Sequence, residues 1–252
     1  MSRRLAAEVD GAGRRLVLVH GFTQTARCWG PLAADLARDH EVVRVDAPGH
    51  GRSAEVHADL AATAGLLADL GPATFVGYSM GGRMCLELAL RDPQAVDALV
   101  LISATAGIDD PDGRATRRAA DEALAGRIEA EGVDAFLDRW LDLPLFAGLP
   151  EELCFVDERR TNTVAGLASS LRLTGTGTQE PSWDRLATLG KPVLVLAGAE
   201  DAKFTALAHR LADAIGDDAT LVVLPGAGHS THLEAPDAVL GALRSWLRTV
   251  SR

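Results

Sequence analysis

The 252-residue sequence lacks any apolar run of transmembrane length. The chain also turns acidic at Glu8 and Asp10 before an apolar secretory segment could follow Arg3 and Arg4. Cysteine is sparse: Cys28, Cys85 and Cys154 are odd in number and carry no metal-ligand spacing. These gaps point to a cytoplasmic, reduced compartment and no membrane partner. Internal repeats and low-complexity tracts are missing too. Positive charge is outnumbered, and a net charge of −10 argues against a nucleic-acid partner. It leaves room for a small anion in a locally basic pocket. The length suits one α/β domain with or without a cap, and nothing sets the oligomeric state.

What is present is an alternation. Short β-rich runs fall at Leu5–Val9, Arg15–His20, Glu41–Asp46, Ala73–Val76 and Asp97–Ile102. Helical patterns separate them at about Cys28–Arg38, Asp59–Leu70 and up to Arg91. That spacing predicts a mostly parallel, doubly wound sheet. From Asp109 to about Arg185 the strands stop, and helical patterns occupy Ala115–Glu131, Val133–Trp140, Glu151–Thr161 and Thr163–Leu173. The alternation resumes with Pro192–Leu196, a helix around Thr205–Ile215, Thr220–Leu224 and a last amphipathic helix from about Pro236 to Val250. The expected division is a core in two parts, 1–108 and 186–252, with a helical lid at 109–185 inserted after the sixth core strand. The glycines and threonines of Thr174–Thr178 have no strand before them, so they read as a lid turn and not as a phosphate loop.

The chemistry centres on Gly77-Tyr78-Ser79-Met80-Gly81, a G-x-S-x-G between a strand and a helix. That context makes a nucleophile elbow, with the serine at a helix N-terminus where developing negative charge is favoured. A serine needs a base, and the base needs a carboxylate to fix its tautomer. Asp201 and His229 each follow a later strand, at the sheet edge where sites form. Glu200 is the rival acid and His232 the rival base. His229 and His232 could also pair on zinc, but no third ligand lies nearby in sequence. An oxyanion hole would use the backbone N–H groups of Phe22 and Met80. His20 and His50 read as residues that hold loop backbone.

The pieces HGF at 20–22, DAPGHGRS at 46–53, GYSMGG at 77–82, AGAED at 197–201 and GAGHSTHLE at 226–234 resemble the α/β-hydrolase superfamily. Within it, Arg83 completes a run similar to the GYSLGGR signature of SHCHC synthase, the pyruvate-eliminating lyase of menaquinone biosynthesis. Phe136–Trp140 with Pro144–Phe146, Arg159–Asn162, Trp183–Leu186 and Asp201–Phe204 resemble further segments of that family. The chain departs from it at Thr105-Ala106-Gly107, where Ser-Pro-Gly is usual, and at Met80, where leucine is.

The resemblance implies an α/β-hydrolase fold and a lyase acting on a small anionic carboxylate, with no metal or organic cofactor. It implies Ser79, Asp201 and His229 as the triad. Arg83, Arg117 and Arg160 would hold substrate carboxylates, and Tyr78, Trp140 and Phe146 would form pocket walls. Arg83 could instead pair with Glu87 at i+4. Arg117 has Arg114 and Arg118 as neighbours that could take its place, and Arg160 has Arg159. A serine hydrolase of small esters or C–C bonds fits the same triad, and a noncatalytic binding protein shares the fold.

Overall fold

The computed structural model describes residues 4–250. Seven strands form one sheet: β1 (Ala7–Asp10), β2 (Arg14–Val19), β3 (His40–Val45), β4 (Ala73–Tyr78), β5 (Val96–Ile102), β6 (Val193–Gly198) and β7 (Ala219–Leu224). Their order is β1-β3-β2-β4-β5-β6-β7; only β1 runs antiparallel, against β3 on the edge. The helices between them are α1 (Gly30–Leu36), α2 (Leu60–Ala68), α3 (Met80–Arg91), α4 (Pro111–Leu141), α5 (Val156–Arg160), α6 (Val164–Thr174), α7 (Ala202–Ile215), α8 (Thr231–Glu234) and α9 (Pro236–Val250).

Strand periodicity distributes the core. Leu16 and Leu18 point to one face of the sheet with α1 and α9, whereas Val17 and Val19 point to the other with α2, α3 and α7. Both faces are therefore covered, which is why β4 reads as a continuous apolar run with all six residues buried. The strand order reverses at β2, whose neighbours are β3 on one side and β4 on the other. The crevice beyond the C-terminal ends of strands at such a point is where ligands bind in open α/β sheets.

In chain order the helical segment follows β5, so the position counted as the sixth core strand is the fifth strand here. Asp110 caps α4 by accepting from Gly113 N–H, and Pro111 opens the helix. Gly132, at φ 81°, interrupts α4 where the sequence separates its two helical patterns. Ala125, Ile128, Phe136 and Leu137 of α4 pack on Leu167, Ala168 and Leu171 of α6 in a small core of their own. The pattern at Glu151–Thr161 is not one helix: a 3-10 turn at Glu151–Leu153 ends, Phe155 turns left-handed at φ 51°, and only α5 follows. Among the described residues no helix is long and apolar enough to cross a membrane.

Candidate active site

Ser79 joins β4 to α3 with φ 50° and ψ −106°, a conformation that L-residues avoid unless the surroundings impose it. The glycines explain how the turn fits. A Cβ on Gly77 would lie 2.5 Å from Gly81 O, and one on Gly81 would lie 2.0 Å from Val19 O. Ser79 N–H donates to Ile102 O at 2.8 Å, which ties the elbow to β5. Met80 supplies the first amide of α3, and intrahelical bonding begins with Arg83 N–H to Ser79 O.

Ser79, His229 and Asp201 form one hydrogen-bonded chain. His229 Nε2 is 3.2 Å from Ser79 Oγ, and His229 Nδ1 is 2.9 Å from Asp201 Oδ2. Burial is the largest influence on the Asp201 carboxyl and pushes its pKa up. The hydrogen bonds from His229 and from Phe204 N–H, with the charges of His229 and Lys203, outweigh burial and hold it below the usual carboxylate range. An ionised Asp201 assigns the proton to His229 Nδ1 and leaves Nε2 to accept from the serine hydroxyl. Glu200 is exposed. His232 lies between the Tyr78 and Trp29 rings, at centroid distances of 4.3 and 4.8 Å. Burial pushes its pKa down to about 3, so it is neutral.

Several supports went unassigned in the sequence reading. Glu234 accepts from Gly228 N–H at 2.7 Å and Ser230 N–H at 2.8 Å, bracing the loop on both sides of His229. Ser103 Oγ donates to His229 O at 2.8 Å, and Tyr78 Oη meets Ser230 Oγ at 3.0 Å. His20 and His50 hold the loop that carries Phe22. His20 Nε2 accepts from Ala47 N–H and Nδ1 donates to Gly21 O; His50 Nε2 accepts from Thr23 N–H and Nδ1 donates to Pro48 O. Burial lowers their pKa values to about 4 and about 3, which keeps both neutral and fixes these roles.

The chain opens into a cavity of about 780 Å³ whose walls include Phe22, Tyr78, Phe136, Trp140 and Phe146. Trp140 touches three of the other rings, at 5.4 Å from Phe22, 5.6 Å from Phe136 and 5.7 Å from Phe146. Six cations line this space (Arg83, Arg117, Arg127, Arg139, Arg159 and Lys203) against the carboxylates of Asp121 and Asp142. Such an excess inside a net-acidic protein makes the cavity locally attractive to anions.

Arg83 does not pair with Glu87, which bonds Arg91 instead. It is buried, its Nη1 reaches Gln179 Oε1 at 3.3 Å, and burial followed by the neighbouring Arg117 lowers its pKa to about 10. It stays charged at neutral pH. Arg117 lines the cavity with Nε on Asp121, while Arg114 turns to Glu180.

Arg160 is the exception among the expected site residues. It lies outside the cavity lining and pairs with Asp134 and Asp157 at 3.3 and 3.5 Å. Its neighbour Arg159 takes the place. Consecutive helical residues point about 100° apart, so the phase set where α5 starts after Phe155 turns Arg159 inward. Arg159 is 1% exposed; its Nε donates to Cys154 O, its Nη1 donates to Thr23 Oγ1, and its Nη2 has no partner. Among the described residues it forms no ion pair.

A serine bonded to a histidine–carboxylate pair, beside free helix amides and unneutralised guanidiniums, can abstract or relay a proton on an anionic substrate. Residues 16–242 match the model of the alpha/beta hydrolase family. The chain belongs to that family. Among relatives of this alpha/beta hydrolase, the 2-succinyl-6-hydroxy-2,4-cyclohexadiene-1-carboxylate synthase of Escherichia coli O1:K1 is 32% identical in an alignment that covers 92% of this chain and 93% of the relative. MenH from S. aureus superposes with a TM-score of 0.91 at 27% identity, covering 98% of this chain and 99% of that one. A thermophilic esterase from Thermogutta terrifontis, with malate bound, superposes at 0.84 with 29% identity, over 98% of this chain and 93% of that one.

Proposed function

We propose that this alpha/beta hydrolase is a carbon–oxygen lyase of menaquinone biosynthesis, eliminating pyruvate from a succinylated, pyruvyl-ether cyclohexene carboxylate. The relative named for making 2-succinyl-6-hydroxy-2,4-cyclohexadiene-1-carboxylate supports the reaction class. The observation that carries the substrate class is Arg159, a buried guanidinium with a free Nη2 and no acid partner, in the same cavity as Ser79. A cation left so is costly unless an anion meets it. Substrate carboxylates supply that anion for Arg159 and for Arg83 and Arg117.

In this mechanism His229, oriented by Asp201, takes the Ser79 proton, and the Ser79 oxygen removes a proton from carbon activated by the succinyl carbonyl. The electron pair left on carbon becomes an enolate, held by the Phe22 and Met80 amides, and a donor so placed is worth about 10²–10³ in rate. Collapse of the enolate forms the ring double bond and breaks the ring C–O bond. Enolpyruvate leaves, is protonated from the His229 relay, and becomes pyruvate. No acyl group is placed on Ser79. The helical segment 109–185 serves as a lid over the core parts 1–108 and 186–252, with Trp140 and Phe146 closing on the ring.

The likeness to an esterase favours a second reading, hydrolysis of a carboxylate-bearing ester through an acyl-serine. Turnover of the pyruvyl-ether substrate in ¹⁸O-labelled water separates the two. Elimination yields a cyclohexadiene without added label and leaves Ser79 free of adduct by mass spectrometry. Label in the carboxyl group of a released acid, or an acylated Ser79, would overturn the lyase.

A further inference from the structure

We propose that Asp121 is a positioning residue for anion recognition: it holds Arg117 by the Nε edge and leaves the Nη pair as a fork for one substrate carboxylate. This rests on the function proposed above and concerns the same cavity.

Asp121 stands one turn after Arg117 on α4, where α4 packs on α6. Its side chain is 6% exposed; Oδ1 accepts from Arg117 Nε at 2.8 Å, and Oδ2 has no hydrogen-bond partner. Oδ2 lies against Gly175, the C-cap of α6, so closely that a Cβ there would come within 2.5 Å of it. Fold stability does not account for a carboxylate in this place. It faces the negative end of the α6 dipole, is largely desolvated, and follows its arginine in the weaker order for a helical pair.

The cavity does account for it. Arg83 and Arg117 line one wall and repel each other: Arg117 favours loss of the Arg83 proton, and Asp121 opposes that effect. One carboxylate, bonded to Arg117 and close to Arg83, therefore offsets the repulsion between the two guanidiniums before any ligand arrives. It bonds Arg117 through Nε alone. Among the described residues Arg117 Nη1 and Nη2 have no hydrogen-bond partner, and that edge matches a carboxylate in two parallel bonds.

The test is a double-mutant cycle on binding of the cyclohexadiene product, titrated by calorimetry so that it does not depend on turnover. Asp121→Asn and Arg117→Ala should each weaken binding by about tenfold, the scale of one charged hydrogen-bonded contact. The double variant should be no weaker than Arg117→Ala, because Asp121 acts through that residue. Equal loss from Asp121→Asn in both backgrounds, or no loss, would overturn the proposal. Arg117→Lys keeps the charge without the fork and covers the case of a misfolded Asp121→Asn; unchanged binding by it would also overturn the proposal. Pyruvate release is measured alongside. Coupled binding without pyruvate release would defeat the lyase and leave the Asp121 role standing, whereas a native protein that does not bind the product defeats both.

Discussion

Arg159 and Arg160 are consecutive in the chain and face opposite surroundings: Arg159 is buried on the cavity wall with a free Nη2, and Arg160 meets Asp134 and Asp157 outside it. The pair sets a cavity-lining guanidinium beside a surface one within two residues. Arg159→Ala should raise KM on the order of 10²-fold, since losing a buried charge partner costs about 2–5 kcal/mol in a complex. Arg160→Ala should leave KM unchanged, because its ion pairs are exposed and weak. Steady-state kinetics of the two variants, side by side, decides the assignment.

The same burial predicts a stability effect of opposite sign. An uncompensated guanidinium in the interior destabilises the free protein. Arg159→Met, similar in volume and neutral, should raise Tm while KM worsens. A scanning-calorimetry Tm below that of the native protein would mean that the bonds to Cys154 O and Thr23 Oγ1 outweigh the charge.

Glu234 braces the His229 loop from outside the cavity lining. With both oxygens taken by amides flanking His229, Glu234→Ala should let the imidazole drift. A misplacement of this kind costs on the order of 10²-fold in kcat, with KM little changed. Kinetics with a defined circular-dichroism spectrum as control checks this.

Acid should unfold the protein through its buried histidines. His20, His50 and His232 have pKa values lowered to about 4, 3 and 3, chiefly by burial. The unfolded chain takes up protons on these groups from about pH 6.5 downward while the folded chain does not. Stability is therefore complete above about pH 6.5 and is lost as pH falls toward 4, at about 1.4 kcal/mol per pH unit for each proton. Asp201, held below the usual carboxylate range, gives up its contribution only at lower pH. His232→Phe keeps the ring between Trp29 and Tyr78 and removes one proton. Its Tm-against-pH profile should fall less steeply; a profile parallel to the native one would exclude His232 from the effect.

The alternation of strands and helices was legible because the central strands β4, β5 and β6 are buried almost throughout and read as apolar, β-rich runs. Ser79, Asp201 and His229 were placed by the same logic, each lying in the loop or turn beyond a strand end. Arg159 was hidden by its neighbour: nothing in Arg159-Arg160 states the phase of a five-residue helix, which depends on the left-handed turn at Phe155. The ambiguity at Arg117 yielded only to packing, which sends Arg114 to Glu180 and Arg117 to Asp121. Glu234 and Ser103 left no pattern of their own, because both act on backbone groups. Glu234 nonetheless lies five residues beyond His229, close enough for sequence reading to have tried it as a loop brace.

Pyruvate release from the pyruvyl-ether cyclohexene substrate, followed by a coupled assay with Ser79→Ala as control, tests the lyase most directly. The native protein should release pyruvate far faster than the spontaneous reaction, and Ser79→Ala should not exceed it. Release at the spontaneous rate by the native protein, or release that survives loss of the Ser79 hydroxyl, would contradict the proposed function.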